Sequence, residues 1–128
     1  MYHLFISHAW HRSEHYEKVV EWLNDSGIKY SNYSVPEENP LYSGNKTKLK
    51  EDLTKQIRPS SCVIILSGMY AAHSDWIKYE IDEAVRMRKY IIGVKPWGQE
   101  RIPTIVSDNA DVMVGWNASS LINAIKNM

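Results

Sequence analysis

The chain has 128 residues, 44% of them apolar, with 15 Lys+Arg against 15 Asp+Glu. That length suits one domain, 1–128, with a substantial core, and the balanced charge removes the field that would favour nucleic acid or an anionic membrane. The lone cysteine excludes an internal disulfide framework, and neither a basic leader nor a membrane-length apolar run is present, so a cytoplasmic location is expected.

Tyr2–Ile6 reads as a short first strand, followed by a polar loop, Ser7–Ser13. Ser13 is placed to cap a helix with Glu14 and Glu17 in its first turn, and Tyr16, Val19, Val20 and Leu23 give that helix one apolar face. Asn24–Gly27 ends it, and Ile28–Tyr33 is a second strand near a sheet edge. Ser34–Gly44 is a long loop with two prolines, a length that usually serves function, and Val35–Asn45 is a candidate lid. Leu49, Leu53, Gln56 and Ile57 mark a second helix that stops before Pro59. Ser61–Leu66 is apolar at consecutive positions, as a central strand buried on both faces should be. Ser74 is expected to cap a third helix, with Asp75 in its first turn and Trp76, Ile77, Ile81, Ala84 and Val85 forming the buried stripe. Tyr90–Val94 is a fourth strand, Lys95–Asp111 is irregular, Val112–Gly115 is a short fifth strand, and Ser119–Lys126 is a terminal helix.

This alternation predicts an α/β fold: a doubly wound, flavodoxin-like sheet of five mainly parallel strands, order 2-1-3-4-5, with helices on both faces. The switch point then falls between strands one and three, and ligands bind outside the carboxyl ends of strands there. Ser7, His8, Ser67 and Gly68 occupy those ends. The third helix starts from the same place. Trp76, Glu80 and Ala84 recur every fourth residue along it, which sets Glu80 at the margin of the buried face. A carboxylate held toward a core is costly unless something uses it, so Glu80 is the leading catalytic candidate.

Other residues invite simpler readings. Glu80 itself has Lys78, Lys89 and Arg101 as structural partners to choose from, and Trp76 is a natural core residue. Cys62 lies inside the apolar third strand and reads as a small buried hydrophobe. His8, His11 and His15 lack a second set of ligands, so no metal site is expected. Lys46, Lys48, Lys50, Arg86, Arg88 and Lys89 read as solvated helix faces.

Three motifs in order carry a family resemblance: Leu4-Phe-Ile-Ser-His8, Lys55-Gln-Ile-Arg-Pro-Ser-Ser-Cys-Val-Ile-Ile-Leu-Ser67, and Ser74-Asp-Trp76-Ile-Lys-Tyr-Glu80. The chain resembles TIR domains, and within them the short TIR-like proteins of bacterial Thoeris antiphage defence. The resemblance implies an enzyme that consumes NAD as substrate, with no bound cofactor and with Glu80 as the catalytic glutamate. It also implies a cyclic ADP-ribose-type product that reaches a separate effector protein as a diffusible nucleotide. Self-association or a phage-derived activator would control it. The family's short Pro-Gly connecting loop is replaced here by the longer stretch from Val35 to Asn45.

The implied reaction suits these residues. Breaking the nicotinamide–ribose bond builds positive charge on the ribose, which one fixed carboxylate stabilises. Trp76, one turn before Glu80, offers a ring face, and Phe5, Ser7 and His8 are expected to form the opposite wall. Ser67 and the amides at the helix start are expected to receive a phosphate. The alternative from another class is a non-catalytic interaction module acting by self-association, because one fold serves both roles. A deoxyribosyltransferase-like enzyme shares the glutamate logic. A receiver-type phosphoacceptor does not fit, since Ser7-His8 and Leu66-Ser67 stand where it needs acids.

Overall fold

The computed structural model describes residues 1–7, 14–34, 46–95, 98 and 101–128, with residues 69–73 described by their backbone alone. In chain order the elements are β1 (Tyr2–Ile6), α1 (Glu14–Asp25), β2 (Tyr30–Asn32), α2 (Lys46–Ile57) and β3 (Cys62–Leu66). A 3-10 turn (Ser67–Met69) leads into α3 (Tyr70–Arg86), then β4 (Tyr90–Val94), α4 (Thr104–Asn109), β5 (Val112–Val114) and α5 (Ala118–Lys126). The strands form one sheet in the order β2-β1-β3-β4-β5, and every neighbouring pair is parallel. This is the flavodoxin-like arrangement expected from the alternation of strands and helices.

Strand alternation sorts the core into two layers. Leu4 and Ile6 of β1, Cys62, Ile64 and Leu66 of β3, and Ile92 and Val94 of β4 face α1 and α5, where Val19, Leu23, Leu121 and Ile125 meet them. Phe5, Val63, Ile65 and Ile91 face the other way, against Leu49, Leu53 and Ile57 of α2, Ile77, Ile81 and Ala84 of α3, and Val106 of α4. All five residues of β3 are buried, as its unbroken apolar run requires of a strand covered on both sides. β2, with one neighbour only, keeps three residues in the ladder, Tyr30, Ser31 and Asn32 opposite Tyr2, His3 and Leu4.

Two glycines bear on how the layers pack. Gly27 has φ 77°, which lets the chain reverse after α1. Gly93 lies under α4, where an added Cβ would collide with the Met113 thioether and come within 3.0 Å of Val106 Cγ1.

Three expectations are corrected here. α3 begins at Tyr70, so Ser74 lies inside it and is not its N-cap; Ala71 and Ala72, strong helix formers, extend the helix back to the 3-10 turn. Val85 does not belong to the buried stripe and is 49% exposed. The stretch from Lys95 to Asp111 contains α4, whose six residues are too few to display a periodic face and which buries only Val106. Pro103 starts it with extended backbone, and its carbonyl accepts from the Val106 amide at 3.0 Å.

Candidate active site

β1 and β3 end side by side at the sheet's carboxyl edge, where the chain order reverses. One residue beyond β1, Ser7 continues the ladder: its amide donates to the Ile64 carbonyl at 2.8 Å, and its Oγ accepts the Leu66 amide at 2.9 Å. The hydroxyl thus satisfies a β3 donor that β1 no longer reaches, and Ser7 is fully buried. Ser34, just after β2, does the same for β1, accepting the Ile6 amide at 3.1 Å. Sequence reading did not single out Ser34; a small hydroxyl residue following a short edge strand is the signal that was there to find.

At the end of β3 stands Ser67, 3% exposed. Its Oγ is, among the described residues, the only buried side-chain polar atom with no hydrogen-bond partner. A buried hydroxyl left unsatisfied costs about 1–3 kcal/mol, so a polar ligand group arriving there would recover that energy.

α3 runs on from this edge and carries Glu80. The side chain is fully buried. Ile77, Glu80, Ile81 and Ala84 form the buried row at i, i+3, i+4 and i+7, with the carboxylate at one flank of it, where periodicity set it, yet without exposed surface. Two lysines weighed as its structural partners have engagements of their own. Lys78 Nζ bonds Asp82 Oδ2 at 2.7 Å, and Lys89 Nζ donates to the Arg58 carbonyl at 2.7 Å.

The remaining candidates divide. Trp76 is partly buried and packs against the cluster that contains Phe5, Ile77 and Ile81. Phe5 is wholly enclosed by that cluster. His8 and the loop 35–45 lie outside the described residues. Trp76 also lines an open cavity of about 520 Å³ between α2 and α3, with Lys46 and Lys50 on one side and Ser74, Asp75 and Tyr79 on the other. Glu80, Ser7 and Ser67 are not among its described lining residues.

Below this cavity a polar clasp joins the two helices. Thr54 Oγ1 donates to Glu83 Oε1 at 2.6 Å, and the Tyr79 hydroxyl lies 2.7 Å from Thr54 Oγ1 and 3.3 Å from Glu83 Oε1. Arg86 Nε donates to Glu83 Oε2 at 2.5 Å. The Arg86 guanidinium, helped by the Thr54 and Tyr79 hydroxyls, holds the Glu83 carboxyl below the usual glutamate range. Burial, reinforced by Asp111, pushes the Cys62 thiol up to about 12, which leaves it protonated and inert. Among the described residues no group of three or more His, Cys, Asp or Glu is placed to hold a metal ion, and none of the helices is long and apolar enough to cross a membrane.

The family described as Thoeris protein ThsB, TIR-like domain, matches residues 5–101. The chain belongs to that family. No curated protein matches the chain. The matched span of this TIR-like domain runs from β1 to the segment before α4, and so includes the ends of β1 and β3, the cavity and the whole of α3.

Proposed function

We propose that this protein cleaves NAD at the nicotinamide–ribose bond, with Glu80 as the catalytic carboxylate, and that its product signals to a separate effector in antiphage defence in the cytoplasm. The observation that carries the reading is the burial of Glu80. A carboxylate without exposed surface, in a row otherwise made of Ile77, Ile81 and Ala84, is an expensive feature for a helix that needs only to pack. Its helix leaves the sheet at the switch point, where doubly wound folds bind their ligands.

The chemistry follows from the charge. The C–N bond breaks with its electron pair leaving on nicotinamide, which departs neutral and needs no general acid. The ribose is left as an oxocarbenium-like cation, and a carboxylate in a low-dielectric setting stabilises that charge more strongly than it would in water. A nucleophile then closes the new bond to the anomeric carbon. Water gives ADP-ribose and releases a proton; a nitrogen or hydroxyl of the adenosine half gives a cyclic ADP-ribose-type product. The cyclic outcome requires water to be excluded, and residues 35–45 and His8 are the candidates for closing the site over Ser67 and Trp76.

A second reading is favoured by a different observation. Phe5 is spent on the core and the Ser7 oxygen on the β3 ladder, so two residues expected to face a substrate already serve the fold. A TIR-like module that acts only by self-association would look the same at those positions. Glu80→Gln separates the two readings: it is near-isosteric and removes the charge. The expected outcome is a folded protein, checked by circular dichroism, whose NAD turnover falls at least about 100-fold by product chromatography. Wild-type turnover in that folded variant would remove Glu80 from catalysis.

A further inference from the structure

The first turn of α2 is unusual in charge. It has no acidic residue and begins Lys46-Thr47-Lys48, with Lys50 one turn after Lys46. Cations at a helix N-terminus oppose the helix dipole, so this arrangement destabilises α2 unless negative charge arrives from outside. Lys48 has Asp52 at 3.5 Å. Among the described residues, Lys46 and Lys50 have no carboxylate partner, and Lys50 Nζ instead stands 5.6 Å from the centre of the Tyr79 ring. Both lysines line the 520 Å³ cavity, which is within the size range of small-molecule sites. Opposite them α3 presents an indole, Trp76, a hydroxyl, Ser74, a carboxylate, Asp75, and the ion pair of Lys78 with Asp82. With Lys78 and Asp82 paired to each other, two ammonium groups against one carboxylate, beside an aromatic face, suit a ligand that has anionic oxygens, a planar ring and hydroxyl groups.

We propose that the α2–α3 cavity binds the phosphate-bearing part of a nucleotide, with Lys46 and Lys50 on the phosphate oxygens, Trp76 against a ring and Asp75 accepting from a ribose hydroxyl. The choice of an ADP-ribose moiety rests on the NAD-cleaving reading; the anion site rests on the lysines and the cavity alone. Trp76 lies one turn from Glu80 on the same helix, so a dinucleotide anchored here by its phosphates would extend along α3 toward the buried carboxylate.

The test is calorimetric titration of the full chain with ADP-ribose and, in parallel, with nicotinamide riboside, which lacks phosphates. The variants are Lys46→Ala/Lys50→Ala, Lys46→Arg/Lys50→Arg and, as a control on the opposite layer, Lys126→Ala, each checked for folding by its thermal melt. The double alanine variant should bind ADP-ribose at least about 10-fold more weakly, while the double arginine variant and the control retain affinity and riboside binding is unchanged. Raising the ionic strength on the wild-type chain should weaken ADP-ribose binding and spare the riboside, a readout that does not depend on any variant folding. ADP-ribose affinity within twofold of wild type in the double alanine variant overturns the proposal, as does a wild-type chain that does not bind ADP-ribose. Absence of NAD turnover by the wild-type chain, with and without an activating lysate, would sink the cleavage reading and leave the anion site standing; full ADP-ribose binding without the lysines would do the reverse.

Discussion

Arg88 is, among the described residues, the one non-glycine with positive φ, at 57°. The reason is local. α3 ends in a pair of bonds, from the Lys89 amide to the Ala84 carbonyl at 2.9 Å and from the Arg88 amide to the Val85 carbonyl at 3.1 Å. That pattern demands a left-handed residue after the helix, where glycine is usual. Arginine there bears a backbone cost of about 1–2 kcal/mol, partly offset because it restricts the unfolded chain more than glycine does. Arg88→Gly is therefore expected to stabilise the protein by about 0.5–1 kcal/mol, read as a higher urea midpoint with an unchanged slope. A lower midpoint would mean that the arginine side chain contributes more than its backbone strain costs. Glu80 is the contrasting case: burying its carboxylate costs solvation, not conformation.

The elements that hold Glu80 in place are α2 and α3, and the clasp of Thr54, Tyr79, Glu83 and Arg86 is their polar connection. It should make the joint sensitive to acid. The Glu83 carboxyl is lowered in the folded protein, chiefly by Arg86, so the ionised form is bound more tightly folded than unfolded. Its contribution to stability is complete above the ordinary glutamate value of about 4.3 and is lost as pH falls through the lower folded value. Glu83→Gln should thus flatten the pH dependence of the melting temperature below about pH 4.5 and leave the dependence above it unchanged. An identical acid limb in variant and wild type would show that Glu83 is not the group responsible. Tyr79 belongs both to this clasp and to the lining of the α2–α3 cavity, so the variant also probes whether the lysines and Trp76 remain opposed.

At the scale of the whole molecule, residues expected at the carboxyl edge already serve the fold: Phe5 is enclosed and the Ser7 oxygen is committed to the ladder, while the Ser67 hydroxyl is buried without a partner among the described residues. Control of a small NAD-cleaving domain would take the form of an equilibrium between an idle and a competent state, which a second copy or an activator shifts by binding the competent one. An NAD-cleaving enzyme also has to be held idle, since constant activity would exhaust a shared cofactor. The isolated chain should accordingly show specific activity that falls on dilution and is restored by an activating lysate, followed by NAD consumption across a concentration series. Full specific activity in a dilute monomer would overturn this.

The sequence by itself determined the layers and their order. The unbroken apolar run 62–66 could only be a strand covered on both faces, and the apolar spacings at 49, 53, 57 and at 19, 23 could only be helices laid on a sheet. It also located the candidate site, because Ser7, Ser67 and Glu80 are tied to strand ends and one helix by spacing alone. Tertiary structure decided what those side chains do. Whether a carboxylate at the flank of a stripe is exposed or fully buried, as Glu80 is, depends on how α3 is rotated against the sheet, which periodicity cannot resolve. The tasks of Ser7 and Ser34 depend on where β1 and β2 stop relative to β3, which no local pattern encodes. The lysines of α2 read as a solvated face until α3 is set beside them, and only that packing turns Lys46, Lys50 and Trp76 into the walls of one cavity.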